Sequence, residues 1–234
     1  MTPYRMQNSA FLTEKIKALR MQKARKLLQG TRSGTLFADE KFFTVEANKN
    51  GQNHRVIAKD FQTACKNGKI LNTTSHPSWF CHVMVFGGIC SDGKTYLIVL
   101  DLGAKVNQTY YRKHILEAAV LPWSKSHYGN RPWCFQQGGA PAHRAKATQQ
   151  WCKNNFPEFN SSSEWPASSA DPNSMDYAVW GYLTQKVSTK NYASLSALKV
   201  ALVKAWDEMD ANYLRAVVTA YPKRLKAVVK AKEG

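Results

Sequence analysis

The sequence predicts an α/β protein with a mixed five-stranded sheet flanked by helices. Three observations carry this. Three short apolar stretches with strand character come first, two of them joined by a hairpin signal. A helix and then a fourth strand ending in a glycine pair follow. The chain closes on long stretches whose apolar residues recur at spacings of three and four.

Residues 1–32 contain eight Lys and Arg and one Glu, with Phe11, Leu12, Ile16, Leu19, Ala24, Leu27 and Leu28 at helical spacing before Gly30. This is a basic amphipathic helix, a surface or linker element. Its Lys15, Lys17, Arg20, Lys23, Arg25 and Lys26 could alternatively lie along a phosphate backbone. From Thr35, TLFADEKFFTVEAN makes a strand with the acidic pair Asp39 and Glu40 midway, and residues 46–78 are polar and irregular. WFCHVMVFGGIC and TYLIVLD are the next two strands. They are joined through Ser91, Asp92, Gly93 and Lys94, whose Asp-Gly pair signals a tight turn. NQTYYRKHILEAAVLPW reads as a helix capped by Asn107 and stopped by Pro122, and PWCFQQ as a buried strand entering Gly138 and Gly139. Pro141 opens a helix through AHRAKATQQWCKNN, FPEFNSS is a short fifth strand, and EWPASSADPNSMD is a loop into a helix from Met175 to Val187. SLSALKVALVKAWDEM and NYLRAVVTAYPKRLKAVVKAK are the closing helices. The organisation is a basic linker helix (1–32), a sheet domain (33–188) and a C-terminal helical segment (189–234).

An apolar content of 44% over 234 residues is ordinary for one globular core. The balance of 33 Lys and Arg against 16 Asp and Glu gives a net charge of +17, a field that attracts polyanions. Nucleic acid is the first partner to consider, although anionic membranes and plain solubility also use such a charge. The five cysteines, Cys65, Cys81, Cys90, Cys134 and Cys152, are odd in number and lie mostly in apolar runs, as buried thiols of a reducing, intracellular compartment do. No Cys-x-x-Cys occurs, which argues against zinc. The N-terminus has no uninterrupted apolar signal segment. The most apolar stretch, Trp79 to Ile89, is about half a membrane span and holds His82 and two glycines, so no membrane partner is expected.

Cutting a phosphodiester bond with bound metal needs carboxylates converging on one point, because Mg²⁺ is a hard ion that prefers oxygen. Asp39 on the first strand, the mouth of the fourth strand at Gln137 to Gly139, and Asp176 at a helix start could meet in a compact sheet. Singly, Asp39 reads as a solvated strand-end charge and Asp176 as an acid interacting with a helix dipole. His143 after a proline reads as a helix-start structural residue. Trp123, Trp133, Trp151, Trp165 and Trp180 read as core or loop anchors, Asp92 and Asp101 as turn and strand-end residues, and Asp171 as a loop cap.

The strings themselves resemble a family, the mariner-type transposases of the DDE/D superfamily. LFADEKFF is similar to that family's first-acid strand and VMVFGGICSDGKTYLIVL to its central hairpin. WCFQQGGAPAHRAKATQQW is similar to its second-acid motif and SADPNSMDYAVWGYL to its third. The resemblance covers nearly the whole chain, through YPKRLKAVVKAKEG, and implies an RNase H-like fold. It also implies metal-dependent DNA strand cleavage and strand transfer, with Mg²⁺ or Mn²⁺ as cofactor and a nuclear location. The implied partners are double-stranded DNA, as transposon ends and target, and a second copy of the chain as a homodimer. Asp39 and Asp176 correspond to the first and third acids and would hold the metals. His143 corresponds to a motif residue near the active site.

Three departures qualify the resemblance. The family carries aspartate after the two glutamines, where this chain has Gly138 after Gln136 and Gln137, with 37 residues between Gly138 and Asp176. Glycine supplies no ligand, so metal binding is expected to be weakened and catalysis impaired. Glu40, facing away from Asp39 on an alternating strand, is a poor substitute. The family's loop Ser-Pro-Asp-Leu-Asn-Pro reads here Ser169, Ala170, Asp171, Pro172, Asn173, Ser174, which moves the prolines that aim Asp176. Each replacement can arise from one nucleotide change, a pattern that fits a decaying genomic copy. The sequence also starts near what would be the linker, without the family's N-terminal helix-turn-helix domains. The competing readings are a non-catalytic DNA-binding relic or domesticated protein and, further off, a generic RNase H-like nuclease.

Overall fold

The computed structural model describes residues 13–30, 34–44, 82–100, 103, 105–166, 172–188, 192 and 194–230. Several sequence readings lie outside these residues: Phe11 and Leu12, the 46–78 stretch, Cys65, Cys81, Trp79, Asp101, Asp171 and the last four positions.

Helix α1 (Glu14–Gln29) starts where the Thr13 side chain accepts the Ile16 N–H. Strands β1 (Thr35–Thr44) and β2 (His82–Cys90) pair antiparallel, followed by the short β3 (Gly93–Lys94) and β4 (Ile98–Val99), both on β2. Helix α2 has an α-helical start (Gln108–Tyr110), a π-helical middle (Tyr111–Val120) and an α-helical end (Leu121–Tyr128). Strand β5 (Cys134–Gln137) runs parallel to β1. After α3 (Pro141–Arg144) and α4 (Lys146–Asn155), β6 (Glu158–Phe159) runs parallel to β5. Helix α5 is a π turn (Met175–Val179) continuing as Trp180–Val187, and α6 (Leu195–Asp207) and α7 (Ala211–Lys230) close the chain. The sheet order is β3-β2-β1-β5-β6, with β4 on the β3 edge.

Two expectations need correction. The strand expected over TYLIVLD forms a ladder only at Ile98–Val99, flanked by single backbone bonds from Thr95 to Gly88 and from Leu100 to Met84, and a separate short strand precedes it at Gly93–Lys94, so among the described residues the sheet has six strands rather than five. The interruption has a cause: the Thr95 hydroxyl takes the Gly88 N–H, and the Thr95 carbonyl accepts the Trp206 indole N–H, which leaves ladder groups engaged elsewhere. Pro122 does not stop α2. It falls in the first turn of the α-helical end, where a missing N–H is tolerated, just after a π-helical stretch in which Leu121 donates to Leu116.

Alternation along β1 builds two cores. Phe37 and Phe43 face Trp180, Leu183, Leu202, Trp206 and Leu225 of α5, α6 and α7, with Ala24 and Leu27 of α1 in the same cluster. Leu36 and Ala38 face Tyr111, Ile115, Leu116 and Cys152 of α2 and α4. The result is a sheet between two helical layers. Gly87 is required by the first of them: a Cβ there would stand 2.6 Å from the Trp206 ring. Among the described residues, no helix is long and apolar enough to cross a membrane.

The β2–β3 turn also fastens α6. Lys94 Nζ donates to the carbonyls of Trp206, Asp207 (2.9 Å) and Met209 (2.7 Å) at and just past the end of α6, where the negative end of the helix dipole favours a cation. Lys94→Met keeps the aliphatic stem and removes all three donors. It is expected to cost about 1.5–3 kcal/mol, read as a lower urea midpoint at unchanged slope. An unmoved midpoint would show the contacts to be energetically idle.

Candidate active site

The three positions singled out from the motifs meet at one end of the central strands. Asp39 is the fifth residue of β1, Gly138 directly follows β5, and Asp176 is in the first turn of α5. Because β1 and β5 are parallel, with Ala38 opposite Gln137, the next residue of each strand falls at the same level. A Cβ on Gly138 would stand 3.3 Å from Asp39 Oδ1 and 3.9 Å from His143 Nδ1, so a side chain here would point at Asp39. Asn173 ties in the third position. Its Nδ2 donates to Asp176 Oδ2 at 2.8 Å and to Asp39 Oδ2 at 3.3 Å, while its Oδ1 caps Met175 N–H. Trp180 Nε1 also donates to Asp39 Oδ2, at 3.2 Å.

Burial pushes the Asp39 carboxyl up to about 7; Asp176 and Glu40 add to this and the Trp180 bond opposes it. Burial likewise raises Asp176, against the Asn173 bond and the Lys41 charge. Two carboxylates forced together and partly desolvated are the electrostatic situation that a bound cation relieves. The donor set fits a hard divalent ion in part: Asp39 and Asp176 would hold it, and Gly138 contributes no ligand.

Glu40 lies on the opposite face of β1, as alternation requires. His143 there is 1% exposed, with Nε2 3.1 Å from Glu40 Oε1 and Nδ1 3.1 Å from the Gly138 carbonyl. Both ring nitrogens face acceptors, so the ring serves both only as the imidazolium. Burial works against that charge, but Glu40 and the Gly138 carbonyl outweigh it and raise the His143 pKa. The ring also rests on Tyr111 at 4.3 Å, and the Tyr111 hydroxyl donates to Gln137 Oε1 at 2.7 Å. His143 therefore clamps the end of β5 to β1. An open cleft of about 630 Å³ runs beside it, lined by Asp39, Glu40, Lys105, Asn107, Pro141 and His143 among others.

The six basic residues of α1 divide. Lys15, Arg25 and Lys26 are exposed, Lys17 and Lys23 are half-buried, and Arg20 is 3% exposed. Lys17 pairs with Glu14 at 3.0 Å, Lys26 pairs with Glu164 at 2.9 Å, and Lys23 donates to the Trp165 carbonyl. Much of this charge is thus spent within the fold. Asn173 and the hydrogen-bonding role of Trp180 were missed from sequence; the available signal was only their nearness to Asp176.

The fold class is RNase H-like, with Asp39 on its central strand, Asp176 at the start of α5 and Gly138 after β5 brought together. No family model matches the chain. It is similar to the transposable element Tc3 transposase of Caenorhabditis elegans, 29% identical over 150 residues, which is 63% of this chain and 43% of that protein. The chain thus spans less than half the length of this curated relative. Among solved structures it is similar to a pre-cleavage Mos1 transpososome, with TM-score 0.78, 18% identity and coverage of 100% of this chain and 67% of that one. It is also similar to the Mos1 transposase catalytic domain with Raltegravir and Mn, with TM-score 0.72, 17% identity and coverage of 97% and 98%. The fold is therefore that of the Mos1 transposase catalytic domain, and the sequence is similar to the Tc3 transposase over part of its length.

Proposed function

We propose that this chain derives from a mariner-like DNA transposase that cleaves and joins DNA strands at transposon ends and target, in the nucleus and as a homodimer, and that this copy is catalytically impaired. The observation that carries the reading is the placement of Gly138, whose missing side chain would point at Asp39 Oδ1, next to an Asp176 linked to Asp39 through Asn173. A divalent ion, Mg²⁺ or Mn²⁺, would supply charge to activate the attacking oxygen and stabilise the leaving one. Asp39 and Asp176 would be its ligands. His143 and Glu40 hold the strand ends in register, and Asn173 and Trp180 orient the acids. Lys105 in the cleft wall, with exposed Arg144 and Lys146 beside it, suits the phosphate backbone of double-stranded DNA. A Mos1 transposase paired-end complex with the left transposon end and the Mos1 catalytic domain with Mn support the choice of partner and metal by analogy of fold.

The second reading, a DNA-binding relic or domesticated protein without cleavage, is favoured by the same glycine together with the +17 charge. A plasmid nicking and strand-transfer assay with Mg²⁺ or Mn²⁺ tests both. The chain as it stands is expected to bind duplex DNA with a steep salt dependence and to leave it uncut. Cleavage that disappears in Asp39→Ala would overturn the impairment. Failure to bind DNA at any salt concentration would overturn both readings.

A further inference from the structure

Beyond the end of β2, three residues along that strand from the partner of Asp39, three side chains bring their donor atoms to one point. Cys90 ends β2, Asp92 lies in the following turn, and His127 is in the last turn of α2. Cys90 Sγ is 3.5 Å from His127 Nε2 and 3.2 Å from Asp92 Oδ1, and Asp92 Oδ1 is 3.1 Å from His127 Nε2. An ion held tetrahedrally about 2.3 Å from a thiolate and about 2.0–2.1 Å from nitrogen and oxygen sets those donors about 3.5, 3.5 and 3.3 Å apart. The triangle already has the size of one face of such a site. Among the described residues it is the one trio of His, Cys or acidic ligands so gathered.

The surroundings hold the ligands as metal sites do. Arg131 donates to Asp92 Oδ2 at 3.0 Å and to the His127 carbonyl at 2.7 Å, so Asp92 turns its other oxygen to the trio. Trp123 stacks on the His127 ring at 4.6 Å and 10°. Gly93 lets the ring in: a Cβ there would stand 2.6 Å from His127 Cε1.

We propose that Cys90, Asp92 and His127 form a Zn²⁺ site, with water in the fourth position, that staples the β2–β3 turn to the end of α2. The ion bonds to sulfur, nitrogen and oxygen, and the Cys90 thiol proton is released to solvent. Ligands 37 residues apart leave no short cysteine spacing, which is why the missing Cys-x-x-Cys misleads and Asp92 reads as a turn residue.

The test is a Co²⁺ titration of the metal-stripped full chain. One equivalent is expected to give thiolate-to-metal charge-transfer absorption with intense tetrahedral d–d bands, both bleached by Zn²⁺, and Zn²⁺ is expected to raise the melting temperature. Cys90→Ser removes the charge-transfer band. Circular dichroism checks its folding, and His127→Gln, at a partly buried position, weakens binding by at least about 100-fold. Arg131→Ala weakens it about 10- to 100-fold. Asp39→Asn leaves the bands unchanged, which separates this site from the acidic one. No thiolate band at millimolar Co²⁺, or a band that persists in Cys90→Ser, would overturn the proposal.

Discussion

Gly138→Asp is expected to tighten Mn²⁺ or Mg²⁺ binding by at least about 100-fold, beyond the 10- to 100-fold usual for an outer-shell partner, and to raise metal-dependent nicking by orders of magnitude. The backbone allows it, since the Gly138 φ lies outside the left-handed range reserved for glycine. The space nearly allows it: the new Cβ at 3.3 Å from Asp39 Oδ1 asks a short, rotatable carboxyl to yield by a few tenths of an ångström. The charge is the obstacle. A third carboxylate beside Asp39 and Asp176 adds repulsion when no cation is present, so the variant should melt lower than the parent in chelator and higher in millimolar Mn²⁺. That crossover, read by thermal denaturation, reports the metal site independently of DNA. Variant and parent responding alike to Mn²⁺ would mean that Gly138 does not face the metal. Tighter metal binding without nicking would move the defect to the loop ahead of Asp176, where Pro172 stands in place of the family's leucine.

The nearness of Asp39, Gly138 and Asp176 was legible, the first two from neighbouring strands and the third from a helix start after a loop. Alternation alone separated Asp39 from Glu40, and the structure keeps them on opposite faces. What was not legible depends on contacts between distant segments. Asn173 meets Asp39 across 134 positions and Trp180 does so across 141, and no spacing rule reaches so far. The Thr95 break was hidden for the same reason: its cause is Trp206, 111 positions on. Pro122 was misread through a rule that holds for the interior of an α-helix and lapses at a π-to-α junction. Local patterns fixed the elements, whereas the polar clamps that join them arise only once the layers pack.

Asp39→Asn is expected to stabilise the metal-free protein, by an amount that grows with pH. The folded-state carboxyl is raised from 3.8 to about 7, chiefly by burial. Between those values the folded chain keeps a proton that the unfolded chain has released. The stability associated with protonated Asp39 is therefore full below about pH 4, declines as pH rises, and is gone once pH passes about 7. About three pKa units at 1.36 kcal/mol each set the loss on the order of 4 kcal/mol at most. Asparagine keeps an oxygen to accept from Trp180 and Asn173 and never ionises, so the variant should lack the decline. Urea denaturation in chelator from pH 4 to pH 8 gives the measurement: two curves together at the acid end and several kcal/mol apart at pH 8. Parallel curves would mean that Asp39 ionises as freely in the fold as outside it. A divalent ion should close the gap from the other side, stabilising the parent near neutral pH with proton release while leaving Asp39→Asn nearly unmoved. On the proposed reading, such an instability of the parent near neutral pH is the cost of holding Asp39 and Asp176 together for a cation.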